Sequence, residues 1–119
     1  MIDHATFRNL ALSLPQAIEK PHFDRTSFRV DVRGGKIFAT MPADLPEANL
    51  ILLRDEQDML LNAEPEIFTP VPNKWGDKGW TQLCFKAADP KTAESVLAMA
   101  WRHAAPVMLQ KQGEKSDVR

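Results

Sequence analysis

Residues 26–41, TSFRVDVRGGKIFATM, constrain the fold most, because apolar and polar residues alternate on either side of a paired glycine. Alternation with a period of two marks a half-buried strand. Two such runs around Gly34-Gly35 predict a hairpin, since glycine accepts the positive φ that primed two-residue turns need. The turn sets an expected register: Arg33 faces Lys36, Val32 faces Ile37, Asp31 faces Phe38, Val30 faces Ala39 and Arg29 faces Thr40. One face then carries Phe28, Val30, Val32, Ile37, Ala39 and Met41 and belongs to the core. The opposite face carries Arg29, Asp31, Arg33, Lys36, Phe38 and Thr40. Such a hairpin must find a further layer to cover its apolar side.

The flanking segments supply that layer. Residues 4–13 predict a helix, with Asp3 as its cap, Phe7, Leu10, Ala11 and Leu14 at helical spacing, and Pro15 as its stop. Asp89-Pro90 opens a longer helix whose stripe is Ala93, Val96, Leu97, Ala100, Trp101 and Ala104, ended or kinked by Pro106. Between them, NLILLR reads as a strand covered on both faces. DEQDMLLNA reads as a helix capped by Asp55, with Asp58 in the capping-box position. EIFTPVP reads as extended and, with Pro70 and Pro72, fit only for a sheet edge. GWTQLCFK reads as the last strand, with Thr81, Leu83 and Phe85 opposite Trp80, Gln82 and Cys84. The expected fold is α+β, a two-layer α/β sandwich. Its antiparallel sheet has about five strands, in the order α-β-β-β-α-β-β-α. The domain spans residues 1–110, and residues 111–119 form a polar tail.

The 119-residue chain is 44% hydrophobic and 26% charged with a net charge of −1, which predicts one soluble domain rather than a strongly basic nucleic-acid protein. The N-terminal MIDHATFRNL lacks the build of a secretory signal, and the single Cys84 suits a reducing compartment, so a cytoplasmic protein is expected. Charge is unevenly spread. Residues 20–36 hold Lys20, Arg25, Arg29, Arg33 and Lys36 against Asp24 and Asp31, a net of +3. Residues 42–66 are acidic, with a net of −6. Catalytic patterns are missing: there is no metal-ligand spacing, no nucleophile elbow and no phosphate-cradling glycine loop. His22 lies near Glu19 and Asp24 but without an accompanying nucleophile. A non-enzymatic protein without metal or cofactor follows.

Two places suit a binding role. Arg33 across from Lys36, with Arg29 on the same face, would set like charges together, an arrangement relieved by an overlying anion. The segment NKWGDKGWTQL, residues 73–83, interleaves Trp75 and Trp80 with Lys74 and Lys78, a mixture suited to bases and phosphates. Trp75 is expected to fold under the loop and plug the core, with Gly76 and Gly79 letting the backbone bend over it. Trp80 is expected on the face opposite Leu83, either packed or available to a ligand.

The stretches LSLPQAIEKPHFDRTSFRV, GGKIFATM, KWGDKGWTQL and AMAWRHAAP, in this order, resemble the MmcQ/YjbR-like family of small bacterial proteins. The resemblance runs from about residue 4 to 109. It rests on Leu14, Pro15, Glu19, Pro21, Phe23, Phe28, Gly35, Lys36, Phe38, Ala39, Trp75, Gly76, Gly79, Trp80, Ala100 and Trp101. It implies an α-β(3)-α-β(2)-α fold related to frataxin-like and secretion-chaperone-like folds, and a double-wing DNA-binding shape. One wing falls on the Arg33–Lys36 hairpin and the other on the Trp75–Trp80 loop. The expected function is DNA binding of low sequence specificity. Arg25, Arg29, Arg33, Lys36, Lys74 and Lys78 would meet phosphates, and Phe38 and Trp80 would give apolar or stacking contact. The alternative is a protein-interaction adaptor, and a monomer or weak dimer is expected.

Overall fold

A computed structural model of the protein describes residues 1–110. The expected tail, residues 111–119, lies outside the described residues. The elements run α1 (His4–Leu12), β1 (Ala17–His22), β2 (Arg25–Val30), β3 (Ile37–Pro42), β4 (Glu47–Ile51), α2 (Arg54–Ala63), β5 (Phe68–Pro70), α3 (Lys74–Asp77), β6 (Trp80–Cys84) and α4 (Pro90–Ala104). The fold is α+β. One antiparallel sheet has the strand order β1-β2-β3-β4-β6-β5. α1 and α4 pack together against one of its faces.

Both terminal helices form as their sequences predict. Asp3 accepts from the Thr6 N–H at 2.8 Å and Asp89 from the Thr92 N–H at 2.7 Å, satisfying donors that a helix start leaves open. The whole expected α4 stripe is buried, as are Phe7 and Ala11 of the α1 helix that packs against α4. Each capping carboxyl is held below the ordinary aspartate value by the backbone N–H it accepts from. A carboxyl with a lowered folded pKa contributes stability that is complete above its unfolded pKa and is lost as pH falls through the folded value. An Asp3→Asn/Asp89→Asn protein, whose caps still accept but do not titrate there, is therefore expected to lose less stability than the parent in acid melts below about pH 4.

The structure departs from expectation at five points. First, residues 17–22 form a strand beyond the expected five. β1 pairs along its whole length with β2, from Ala17↔Val30 to His22↔Arg25. Its hairpin turn is Phe23-Asp24, and Phe23 takes the positive φ of 59°. Secondly, Gly34-Gly35 is not a two-residue turn. β2 stops at Val30 and β3 starts at Ile37, so Arg33 and Lys36 do not face each other. Gly34 supplies a φ of 82°, and a Cβ on Gly35 would stand 2.0 Å from the Val30 carbonyl oxygen. The glycines therefore fold a longer loop onto the strand end, and the Lys36 N–H donates to the Ala104 carbonyl at 3.0 Å, tying the loop to α4.

Thirdly, Phe38 is core. Phe28 pairs with Ala39 but Arg29 pairs with Ile37, leaving Phe38 as the extra residue of a β-bulge. The bulge buries Phe38 and Ala39 in succession, both at 0% exposure, and moves Ile37 to the face of Arg29. Fourthly, β4 is covered on one face only. Ala48 and Leu50 are buried while Glu47, Asn49 and Ile51 are half-buried. Fifthly, α2 starts at Arg54 rather than after an Asp55 cap, and the Glu56 carboxylate accepts from the Leu53 N–H at 2.9 Å. β5 does lie at the sheet edge, as its prolines require. No helix among the described residues is long and apolar enough to cross a membrane.

Candidate functional site

The uncovered face of the sheet is built from the residues that alternate away from the core. Directly paired positions share a face, so the register traces one polar row across all six strands: Lys20, Ser27, Thr40, Asn49, Gln82 and Thr69. On one side of this row stand Ile18, Arg29 and Ile37, then Ile51 and Trp80. On the other side stand His22 and Arg25, with Glu47 and Cys84 farther along. Glu47 is held by the Gln82 side-chain amide.

A cleft of about 200 Å³ opens on this face. Trp75, Trp80 and Val71 form one wall, and His22, Arg25, Thr40 and Asn49 complete it. These residues come from β1 at one sheet edge and from the segment after β5 at the other, so the face is concave. Arg25 crosses the floor, with Nε donating to Thr40 Oγ1 at 3.1 Å. Its Nη2 is buried from solvent and has no acceptor, the one such side-chain nitrogen or oxygen among the described residues. A buried guanidinium donor without a partner is costly, and a turn of the Arg25 side chain toward the cleft it lines would let this nitrogen meet an acceptor there.

The aromatic wall is set by local backbone needs. The carbonyls of Gly76 and Trp80 accept from the buried Gln57 amide at 3.0 and 3.1 Å, fixing α3 and the start of β6. Gly79 has a φ of 103°, and a Cβ there would stand 1.9 Å from the Leu52 carbonyl oxygen. A Cβ on Gly76 would stand 2.2 Å from the Val71 carbonyl oxygen. The glycines thus serve close backbone approach, and Trp75 is not a core plug. Its side chain is 58% exposed and carries Lys78 Nζ 5.4 Å from a ring centroid. Beside the cleft, Phe23 is 95% exposed and stacks edge-on against His22 with ring centroids 4.9 Å apart. The positive φ of Phe23 serves the β1–β2 turn, but its ring gains little packing there and is left beside the cleft.

The eight residues singled out in the sequence divide accordingly. Arg25 and Trp80 line the cleft. Arg29 is on the same face, and Lys78 lies against Trp75. Lys74 is exposed on α3, next to Trp75. Arg33 and Lys36 are exposed in the loop tied to α4, outside the cleft. Phe38 leaves the set, being core. Both loops emerge at the same end of the sheet, where β2 and β4 end and β3 and β6 begin. None of the six cations in this set is ion-paired among the described residues, where the pairs are Arg8–Glu19, Arg54–Asp58 and His103–Glu56. His22, Phe23, Thr40, Asn49 and Val71 were not singled out as binding residues. Asn49 inside an apolar run was the one local signal for an open face. A larger groove of about 320 Å³ between α2 and α4, lined in part by Leu60, Val96 and Met99, carries no unmet polar group.

The YjbR family profile matches residues 12–103. The chain belongs to the YjbR family. A solved structure supports the same architecture. The crystal structure of Deinococcus radiodurans protein DR2400, assigned to the domain family DUF419, superposes with a TM-score of 0.71 at 17% identity, over 85% of this chain and 77% of that one. At that identity the likeness concerns the fold. No curated protein matches significantly. In this YjbR-family chain the matched span contains β1 to β6 and nearly all of α4, and with them the whole cleft.

Proposed function

We propose that this protein is a cytoplasmic, non-catalytic DNA-binding protein of low sequence specificity, using the concave face of its sheet and the two loops at one end. The observation that carries the reading is the gathering of unpaired cations and indole surface on a face that no described element covers. Arg29, Lys20 and Lys78 suit phosphates, with Arg33 and Lys36 extending the positive surface at the sheet end. Trp75 and Trp80 offer ring faces, which stack on any base and so favour affinity over base discrimination. Within the polar row, Lys20 and Asn49 are left for a ligand, because Ser27 and Thr40 are buried and Thr69, Gln82 and Glu47 bond to one another. No helix is offered to a groove in this reading, so sequence readout is weak.

Salt dependence tests it. If about four phosphates are neutralised, log K falls with log salt with a slope near −3, roughly a fifty-fold loss between about 50 and 200 mM for a single strand. An Arg33→Ala/Lys36→Ala protein should show a slope shallower by about 1 to 2. A flat response, measured by fluorescence anisotropy of a labelled oligonucleotide, removes the proposal.

A second reading, a protein-interaction adaptor, is favoured by one observation. Phe23 and Trp75 expose apolar surface at 95% and 58%, more than a solvated rim needs. It predicts self-association or partner binding through that surface. Light scattering showing a dimer that Phe23→Ser dissolves would favour it over nucleic acid.

A further inference from the structure

We infer that the cleft between Trp75 and Arg25 is a pocket for one unpaired nucleobase, with Arg25 donating to an acceptor on that base. The inference rests on the nucleic-acid reading for its natural source of bases, but the pocket itself is argued from its own geometry. The volume of about 200 Å³ lies below the ordinary small-molecule range of about 300–1,000 Å³ and suits a single ring system. Two indoles line it, so the occupant is planar and apolar on its faces. Arg25 lines the cleft and its buried Nη2 has no acceptor, so an occupant that carries one is favoured once the guanidinium turns toward it. Thr40 and Asn49 stand on the same floor, so its edge meets further polar atoms. A base satisfies all three demands, and guanine, with acceptors at O6 and N7, satisfies them best. The unpaired cations at Arg29 and Lys78 leave the attached phosphate a favourable exit.

A base inside a duplex has its faces stacked and cannot enter so small a cleft unless it is flipped out. The pocket therefore predicts preference for single strands. It also separates Arg25 from the surrounding cations. Arg29 and Lys78 act through charge, whereas Arg25 acts through a directed N–H, so lysine should not replace it.

The test titrates the full chain with a short guanine-containing single strand, the matching blunt duplex, and free guanosine monophosphate, following intrinsic tryptophan fluorescence and anisotropy. The single strand is expected to bind at least about tenfold tighter than the duplex, a ratio of the size one stacked base gives. Arg25→Met and Arg25→Lys should each weaken the single strand about tenfold or more, while duplex affinity changes less than about threefold. Arg25→Met removes a buried donor without an acceptor but also the Nε bond to Thr40 Oγ1, so a single cooperative melt close to the parent's is the control that excludes misfolding as the cause. Equal affinity for single strand and duplex, or an Arg25→Lys protein that binds as the parent does, overturns the pocket while leaving the DNA proposal standing. Saturable binding of the monophosphate, lost in Arg25→Met, without binding of either polymer supports the pocket and ends the DNA proposal. Failure of all three probes ends both.

Discussion

Replacing Phe38 by alanine is expected to destabilise the protein by about 3–5 kcal/mol, the usual cost of deleting a fully buried ring. Phe38 is 0% exposed and shares the core with Phe28, Ala39 and the α4 stripe. The loss has two parts: transfer of the ring to water, and a cavity that a hydrogen-bonded sheet packed against α1 and α4 cannot close. It would lower the melting temperature by about 10–20 °C for a domain of this size. The register of an unbroken hairpin would instead place Phe38 on the solvent side, where alanine changes stability by no more than about 0.5 kcal/mol. Thermal and urea melts of this one variant thus decide whether the bulge between Phe28 and Arg29 exists.

Gly79→Ala is expected to cost a similar amount, roughly 3 kcal/mol or more, by a different route. The φ of 103° is one an L-residue rarely adopts, and the added Cβ would lie 1.9 Å from the Leu52 carbonyl oxygen. Relief requires β4 and β6 to part where the Leu52 N–H donates to the Gly79 carbonyl at 3.0 Å. Against a total stability of about 5–15 kcal/mol, either change leaves a marginal fold. The Gly79 change should also shift Trp80, the next residue, so tryptophan fluorescence should alter even in the fraction that stays folded. A change below about 1 kcal/mol would mean that the loop is not held against β4 as described.

Much of the fold was legible because its signals are local and agree. Asp89-Pro90 and the following stripe specify α4 without reference to anything else. The alternation of Thr81, Leu83 and Phe85 specifies the inner face of β6. What was not legible depends on partners. β1 reads AIEKPH, an edge strand with exposed Glu19, Lys20 and Pro21, and it lacks the alternation that marks a half-buried strand. Its turn was hidden because Phe23, not glycine, takes the positive φ. The paired glycines misled for the opposite reason. They are required by a loop folded onto Val30 and tied to α4, contacts that no window of sequence displays. A bulge leaves the alternation of the sequence unbroken while reversing what it means, which is why Phe38 read as surface.

The candidate site was legible in its cations and indoles but not in its geometry. Arg25, Arg29, Lys78 and Trp80 could be singled out by residue type. That Arg25 lies under a tryptophan wall, with Nη2 unmet, follows only from strand order, because β1 and the Trp75 segment meet across four intervening strands. Large rings are usually buried, so residue type alone places Trp75 in the core. The glycines beside it are spent on backbone contacts instead, which leaves its ring outside.

The most direct measurement follows the three indole N–H signals of the 15N-labelled protein as a single-stranded oligonucleotide is added at low salt. Trp75 and Trp80 stand on the open face, whereas the Trp101 indole donates to the Pro15 carbonyl at 2.9 Å on the helix side. The Trp75 and Trp80 signals are expected to move, Trp101 to stay, and added salt to reverse the change. Movement of Trp101 alone, or binding that leaves Trp75 and Trp80 in place, would contradict the proposed binding face.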